Sequence, residues 1–156
     1  MDIMNICLLY NCCNQFKITK KQTNVSWDVI LIKEQFDTND KDYEPISLGI
    51  RDNIINELCI LLPELDYSVK DWGILNGDGF SIEFNTGKEE KVDSIMLHIR
   101  GGGNPHYIIG MIMKKMEWEA LDCSTGEFVD LKNINAESWT KFQTWRDKIF
   151  KRNKLN

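Results

Sequence analysis

Paired cysteines, long apolar runs and an excess of basic charge are all missing from this sequence of 156 residues. Its five cysteines are odd in number and show no Cys-x-x-Cys spacing, which argues against a disulfide framework and against a zinc site. We therefore expect a reducing, cytoplasmic environment and no bound metal or other cofactor. No stretch approaches the ~18 consecutive apolar residues that a membrane span requires, so we expect no membrane partner.

The shortage of basic charge limits the class of partner. Lys and Arg number 19 against 24 Asp and Glu, which gives a formal net charge of −5. A nucleic-acid binder needs a basic face that displaces counterions from phosphates, so we expect no nucleic acid. Asp37, Asp40 and Asp42 form an acidic cluster that predicts a surface for a basic protein partner. Such a cluster equally serves solubility, which is the alternative interpretation.

The first 25 residues predict strands rather than a targeting signal. Residues 3–10 are apolar, but Asp2 precedes them in place of a basic segment and no small-residue cleavage site follows. Residues 15–20 alternate apolar and polar side chains, as a short strand does. A chain of this length with 42% hydrophobic residues can bury one core, so we expect residues 1–156 to form a single domain.

Hydrophobic periodicity predicts an α+β fold with an antiparallel sheet. Apolar residues alternate in strands and recur at helical spacing in helices. The predicted elements are strand 27–33, helix 47–62, strand 80–85, strand 92–100, helix 105–117, strand 118–123, return strand 127–131 and helix 136–150. The first six of these elements, from 27 to 123, follow the split β-α-β order of ferredoxin-like folds, with helices on one sheet face. The N-terminal strands and the C-terminal helix are additions to it. Another α+β sandwich, extended by the N-terminal strands, is the alternative.

Two groups of aromatic residues enter this prediction. The last helix places four apolar side chains on one face and is expected to bury Trp139, Phe142, Trp145 and Ile149. Trp72 stands instead in a stretch broken by Gly73, Gly77 and Gly79, which predicts a loop. A tryptophan there either closes the end of the core or anchors a partner, since tryptophan is favoured at interfaces.

Three adjacent glycines, Gly101, Gly102 and Gly103, follow the predicted strand 92–100. Asn104 and Pro105 come next and predict the N-cap and the first position of a helix. Glycine lets the backbone take positive φ and approach a ligand, and a helix N-terminus attracts anions. The stretch therefore predicts a site for a phosphate or a carboxylate. Because it lacks both the Gly-x-Gly-x-x-Gly and the Gly-Lys-Ser/Thr patterns, a tight strand-to-helix turn is the alternative.

Polar side chains on the predicted open sheet face complete this candidate ligand site. Alternation places His98 and Arg100 on the same face as Glu83 of the neighbouring strand. Arg100 would offer a bidentate fork to an anion beside the glycines. One alternative is an ordinary ion pair between Glu83 and Arg100, worth little when exposed. Another is an enzyme in which His98 is a base, Glu83 orients it and Cys123 is the nucleophile.

Neither catalysis nor metal binding is predicted from these residues. No motif specifies Cys123 as a nucleophile, and a cysteine at a strand end is usually a small core residue. His98 and His106 stand eight residues apart without an acidic partner at ligand spacing. We expect His106 in the first turn of a helix, facing water. The sequence does not predict an oligomeric state.

Three runs carry a resemblance that covers about residues 72–131. They are GDGFSIEFN at 77–85, SIMLHIRGGG at 94–103 and DCSTGEF at 122–128. The chain resembles a small uncharacterised bacterial family of stand-alone single-domain proteins, a resemblance that implies no particular activity. Its size and acidic charge are similar to those of immunity proteins found beside secreted bacterial toxins. This similarity implies a non-catalytic protein-binding module that neutralises a toxin. A small domain or enzyme that binds an anionic ligand at the glycines is the alternative function.

Overall fold

The computed structural model describes residues 25–40, 42–69, 71–130 and 137–153. The protein is an α+β structure with an antiparallel sheet and three helices in this part of the chain. Its elements are β1 Trp27–Ile32, β2 Gly49–Ile50, α1 Arg51–Leu61, β3 Asp66–Val69, β4 Trp72–Asn76, β5 Phe80–Asn85, β6 Lys91–Val92, β7 Ile95–Gly101, α2 His106–Met116, β8 Glu119–Asp122, β9 Glu127–Phe128 and α3 Glu137–Asn153. The strands predicted at 3–10 and 15–20 lie outside the described residues.

Seven strands form the main sheet in the order β3-β4-β5-β7-β1-β8-β9, and each neighbouring pair is antiparallel. The strands that start at Trp27 and Ile95 occupy the middle, with Val29 opposite Leu97. β2 and β6 pair separately through Gly49 and Val92. The sheet is wider than predicted because β3 and β4 extend one edge, whereas β9 at the other edge is the predicted return strand.

Alternation in β5 and β7 divides the sheet into two faces. Ile82 and Phe84 of β5 are fully buried, and so are Ile95, Leu97 and Ile99 of β7. Their neighbours in each strand are only half-buried. The alternation predicted for these two strands is therefore confirmed, and the side chains between the buried ones form the second face.

The helices contribute their buried residues to one cluster with the apolar face of the sheet. Ile54 and Leu58 of α1 belong to this cluster, as do Ile109 and Ile112 of α2 and Trp139 of α3. Their spacing of three or four residues is the spacing of one helix face. Burying a side chain of this size stabilises the fold by about 2 kcal/mol relative to leaving it exposed. All three helices thus pack on the same side of the sheet.

Helix boundaries follow from the local chain. α1 ends at Leu61 just before Pro63, as predicted, because proline cannot continue a helix. Its start at Arg51 is later than the predicted residue 47, since the chain before it pairs as β2 and the Arg51 N–H donates to the Glu90 carbonyl at 2.8 Å. α2 ends at Met116, where Glu117 takes the left-handed conformation with φ 55°.

Candidate functional site

The second face of the main sheet carries a group of half-buried, mostly polar side chains, here called the polar face. Its members are Asp28, Trp72, Ser81, Glu83, Asn85, Met96, His98 and Arg100. They come from β1, β4, β5 and β7, and the register explains why they meet. His98 lies directly between Asp28 and Glu83, its partners on the two neighbouring strands. Directly opposite residues in antiparallel strands bring their side chains into contact.

An aspartate orients the histidine at the centre of the polar face. The Nδ1 atom of His98 lies 2.8 Å from Oδ1 of Asp28, and the Ser26 hydroxyl donates to that same oxygen at 2.7 Å. An ionised carboxylate is only an acceptor, so Nδ1 must carry the proton. In the neutral ring the lone pair is then on Nε2, on the side turned away from Asp28. The arrangement fixes both the tautomer and the ring orientation of His98.

Trp72 covers the imidazole. The two rings are stacked with centroids 5.9 Å apart and an interplanar angle of 19°. The predicted loop around Trp72 is wrong, because Trp72 begins β4 and pairs with Asn85 of β5. Strand pairing therefore brings the indole onto the polar face, where it is half-buried. It closes neither end of the core.

Arg100 and Glu83 form the second charged pair of this face. An Arg100 guanidinium N–H donates to the Glu83 carboxylate in a short contact. The Nε atom of Arg100 is buried without a hydrogen-bond partner. The guanidinium is thus engaged by Glu83, and an anion would have to compete with that carboxylate. The cross-strand pair proposed from the sequence is present, whereas binding of an anion by Arg100 stays a prediction.

The glycines after β7 are explained by a close approach of two backbones. Gly101 and Gly103 have φ of 96° and 59°. A Cβ atom at Gly103 would lie 2.2 Å from the Asp78 carbonyl oxygen, and one at Gly101 would lie 2.4 Å from the Gly79 carbonyl oxygen. The Gly102 N–H donates to the same Gly79 oxygen at 2.6 Å. These contacts require glycine even without a ligand.

Helix α3 binds the carbonyl side of this glycine loop. The Trp139 indole N–H donates to the Gly103 carbonyl at 3.1 Å, and Arg146 donates to the Gly101 carbonyl. Arg100 instead reaches Glu83 on the polar face. The carbonyl groups of the glycine loop therefore contact α3, whereas the side chains of Arg100 and His98 lie on the polar face. The structure does not bring these groups together around one point.

The start of α2 differs from its prediction. Pro105, with φ −69° and ψ −21°, is the N-cap, and no side chain donates or accepts a capping hydrogen bond there. The predicted cap, Asn104, precedes the N-cap and makes no capping hydrogen bond. The Pro105 carbonyl accepts from the Ile108 N–H at 3.0 Å, which closes the first turn. A proline already held at helical φ starts the turn without a side-chain cap.

His106 begins α2, as expected, but it is half-buried rather than turned to water. Its Nδ1 atom is buried without a hydrogen-bond partner. Burial lowers the pKa of the His106 imidazole below its usual 6.5, because the charged form loses hydration. The folded protein therefore keeps this ring neutral at pH values where an unfolded chain would protonate it.

Stability should consequently depend on pH through His106. Because the unfolded chain binds this proton more readily, stability falls as the pH drops through the usual histidine range and the loss is complete below the lowered folded pKa. From about pH 7.5 to about pH 5, we expect the Tm of the native chain to fall more steeply than that of His106→Gln. Thermal unfolding followed by circular dichroism measures both slopes. Asn104→Gln, at an exposed neighbouring position, should keep the native slope, and identical slopes in all three chains would contradict the prediction.

The acidic residues of the predicted partner surface lie away from Trp72. Asp37, Asp40 and Asp42 are exposed, and the Oδ1 atoms of Asp37 and Asp40 accept backbone N–H groups two residues ahead at 2.9 Å. Phe36, directly before them, packs edge-on against Phe128 of β9 with centroids 5.8 Å apart. β9 and β4 are separated by four strands of the sheet. The four residues predicted to bind a partner are thus divided between two surfaces.

Cys123 and His98 do not lie on neighbouring strands, as a nucleophile and its base would be expected to. The Cys123 backbone N–H donates to the Asp28 carbonyl at 3.0 Å, so β1 lies between Cys123 and β7. Two strand spacings put the two residues about 10 Å apart. The other cysteine of the described residues, Cys59, has a pKa raised first by burial and then by the charge of Asp66. A raised pKa keeps that thiol protonated and unreactive.

Sequence reasoning missed Asp28 and Ser26 as members of the site. The signal was present, because Asp28 is the only charged residue in the apolar run of β1 and shares its alternation phase with Ile30. A lone carboxylate in a central strand requires a partner, and His98, the residue opposite Asp28 on β7, is that partner.

The described parts of the chain contain no group of three or more His, Cys, Asp or Glu residues arranged to hold a metal ion. None of their helices is both long enough and apolar enough to cross a membrane. The polar face thus combines an oriented histidine, an ion pair and a half-buried indole. Comparison of the chain with protein-family models, with curated proteins and with solved structures finds no match.

Proposed function

We propose that the protein is a non-catalytic binding module that recognises another protein through its polar face. The observation that carries the proposal is the composition of this face: Trp72 stacked on His98, beside the Arg100–Glu83 pair, all half-buried. Aromatic and arginine side chains are the residues that contribute most to protein interfaces. The buried residues of the three helices lie on the opposite side of the sheet, so no helix of the described residues packs here.

The charges of the face favour a basic partner. Asp28 and Glu83 supply two carboxylates against the single fixed positive charge of Arg100, and the whole chain carries −5. These groups are already held by His98, Ser26 and each other, so little side-chain freedom remains to be lost on binding. By its similarity to small acidic immunity proteins, the role we propose is neutralisation of a basic bacterial toxin.

We also propose a ferredoxin-like frame for this module. The order β5-β7-β1-β8, together with α1 and α2, supports a split β-α-β arrangement, to which β3, β4 and β9 are additions at the two edges. In such a frame both helices lie on one face, which leaves the other face for binding. The position of the polar face agrees with this use.

Immunity proteins are found beside the toxins that they neutralise, so the expected partner is the protein encoded by the gene adjacent to this one. The test measures binding of the two purified proteins by calorimetry and by co-purification. We expect binding that is weakened about 100-fold by Trp72→Ala, as for a central aromatic of an interface. Trp145→Ala is the matched control, because Trp145 is also an accessible tryptophan but lies on α3. It should leave the affinity unchanged.

Two outcomes would replace this proposal. If binding survives Trp72→Ala and is lost when Asp37, Asp40 and Asp42 become asparagine, the partner surface is the acidic loop instead. If no protein binds, and inorganic phosphate raises the Tm of the native chain but not that of Arg100→Ala, the protein is a small anionic-ligand-binding domain. The buried Nε of Arg100 without a partner is the observation that favours this second function.

A further inference from the structure

Two hydrogen-bond acceptors on the polar face have no donor among the described residues. Asp28 engages Nδ1 of His98 and leaves the lone pair of Nε2 without a partner in this part of the chain. Arg100 contacts Oε1 of Glu83, which leaves Oε2 of that carboxylate without a described partner as well. The side chains of His98 and Glu83 are 24% and 26% accessible, respectively, so a group from another molecule can reach both acceptors.

The strand register brings these two acceptors to the same place. His98 of β7 and Glu83 of β5 are directly opposite each other, and the Cβ atoms of such a pair lie about 5 Å apart. Nε2 is on the side of the ring away from Asp28, and β1 and β5 lie on opposite sides of β7, so the lone pair is directed toward β5. Trp72 stacks on a face of the ring and leaves its Nε2 edge open. Both acceptors therefore border one space between β5 and β7.

The charges around this space decide which ligand it takes. With a neutral imidazole, the carboxylates of Asp28 and Glu83 face the single guanidinium of Arg100. A bound cation would make this group of charges neutral, whereas a bound anion would add to its negative charge. Half-buried charges need an opposite charge close by. A lone pair also accepts an N–H group and repels an anionic oxygen. The arrangement therefore favours a cation that carries N–H donors.

We propose that this space binds one cationic side chain, a lysine or an arginine of the protein partner, through Nε2 of His98 and Oε2 of Glu83. We call these two acceptors the cation site. The cation site rests on the proposed function, because it receives a group of the basic partner. Charge-assisted hydrogen bonds of this kind are among the stronger ones in proteins. Asp28 is a positioning residue that keeps the proton on Nδ1, and the Ser26 hydroxyl holds the Asp28 carboxylate at 2.7 Å.

The first experiment needs no ligand and measures the tautomer of His98 by nitrogen NMR. The chain has two histidines, so the variant His106→Gln leaves one imidazole to observe. At about pH 8, where histidine side chains are ordinarily neutral, we expect the proton on Nδ1 and none on Nε2. Asp28→Ala should produce a mixture of the two tautomers. Glu127→Gln is the matched acidic control, because Glu127 is exposed on β9, and it should keep the native tautomer. A proton on Nε2 without the Asp28 substitution would overturn the proposal.

The second experiment titrates Nα-acetyl-lysine methylamide and Nα-acetyl-arginine methylamide into the same His106→Gln chain. We expect at least one of them to shift the Nε2 resonance of His98 with a dissociation constant of about 1–10 mM, as suits a single side chain. Glu83→Gln should raise that constant about tenfold, because a neutral amide replaces a charged acceptor. Glu127→Gln should leave it unchanged. Nα-acetyl-glutamine methylamide, which carries no charge, should not move the resonance. Circular dichroism shows that each variant is folded.

The outcomes separate the cation site from the proposed function. A shift of Nε2 by a basic amide, without binding of the purified protein partner, would support the cation site and reject the proposed function. Partner binding that Trp72→Ala weakens and Glu83→Gln leaves unchanged would support the proposed function and overturn the cation site. No shift with either basic amide, or an equal shift with the glutamine amide, would overturn the cation site as well. A response to only one basic amide supports it and identifies the side chain that the partner supplies.

Discussion

Replacement of Gly103 by alanine should lower the free energy of unfolding by about 3 kcal/mol. Two costs add at this position. The left-handed backbone, with φ 59°, costs a residue with a Cβ about 1–2 kcal/mol. The new methyl group would also lie 2.2 Å from the Asp78 carbonyl oxygen, a backbone atom that cannot move without shifting the turn before β5, and such overpacking costs about 1–3 kcal/mol.

Two other glycines separate these costs in urea unfolding. Gly126 has φ 72° with no atom within 4 Å of the place that an added methyl group would take. Gly126→Ala should therefore lower the free energy of unfolding by only about 1 kcal/mol. Gly102 lacks a positive φ and its nearest neighbour would be 3.8 Å away, so Gly102→Ala should change stability by less than about 0.5 kcal/mol. If Gly103→Ala is no more damaging than Gly126→Ala, the backbone contact with Asp78 is not what requires glycine there.

Removal of the Arg51 side chain should cost about 2–3 kcal/mol. The side chain is 11% accessible, and its Nη1 donates to the Asp71 carboxylate at 2.8 Å and to the Lys88 carbonyl at 2.7 Å. Asp71 turns the chain between β3 and β4 with φ 75°, and its carbonyl accepts from Thr86. Arg51→Ala leaves a carboxylate and a carbonyl without their donor, which costs more than the lost bonds alone.

A double-mutant cycle in urea measures this pair. Asp71→Asn alone keeps the shape of the turn but removes the charge, and the double variant Arg51→Ala with Asp71→Asn should recover about 1 kcal/mol relative to the sum of the single effects. Asp52→Ala is a matched control, because Asp52 is 85% accessible, lies 3.7 Å from the same guanidinium and should contribute less than about 1 kcal/mol. Additive effects of Arg51 and Asp71 would show that the two side chains do not stabilise each other.

The predicted fold agrees best with the structure where one residue pattern decides the element. Alternation in 80–85 and 95–101 and helical spacing in 106–116 were enough to place β5, β7 and α2. The pattern failed at β4, because Gly73 reads as a loop residue. The strand has glycine at position 73 because a Cβ atom there would lie 2.4 Å from the Tyr67 ring of β3. A requirement set by a neighbouring strand is not visible in the local sequence.

The candidate site was predictable to the same extent. The shared face of Glu83, His98 and Arg100 follows from alternation alone, whereas Asp28 joins them only through the register of β1 against β7. Register depends on the whole sheet, so spacing along the chain cannot supply it. Trp145 shows the same limit in α3: it was expected to be buried, but it is 49% accessible, while Trp139 and Phe142 are buried as predicted. The side chain of Ile149 lies outside the described residues.

The central position of β1 also affects how the chain folds. Asp28 and His98 are 70 residues apart, and β8 follows later still. During synthesis, β1 therefore emerges before both of the strands with which it pairs. At about 5–20 residues per second, synthesis exposes β1 for several seconds before either partner exists. Its run from Val29 to Ile32 is wholly apolar and prone to aggregate during that time. The carboxylate of Asp28 stands at one end of this run and Lys33 at the other, so the residue that orients His98 in the folded protein also protects the nascent strand.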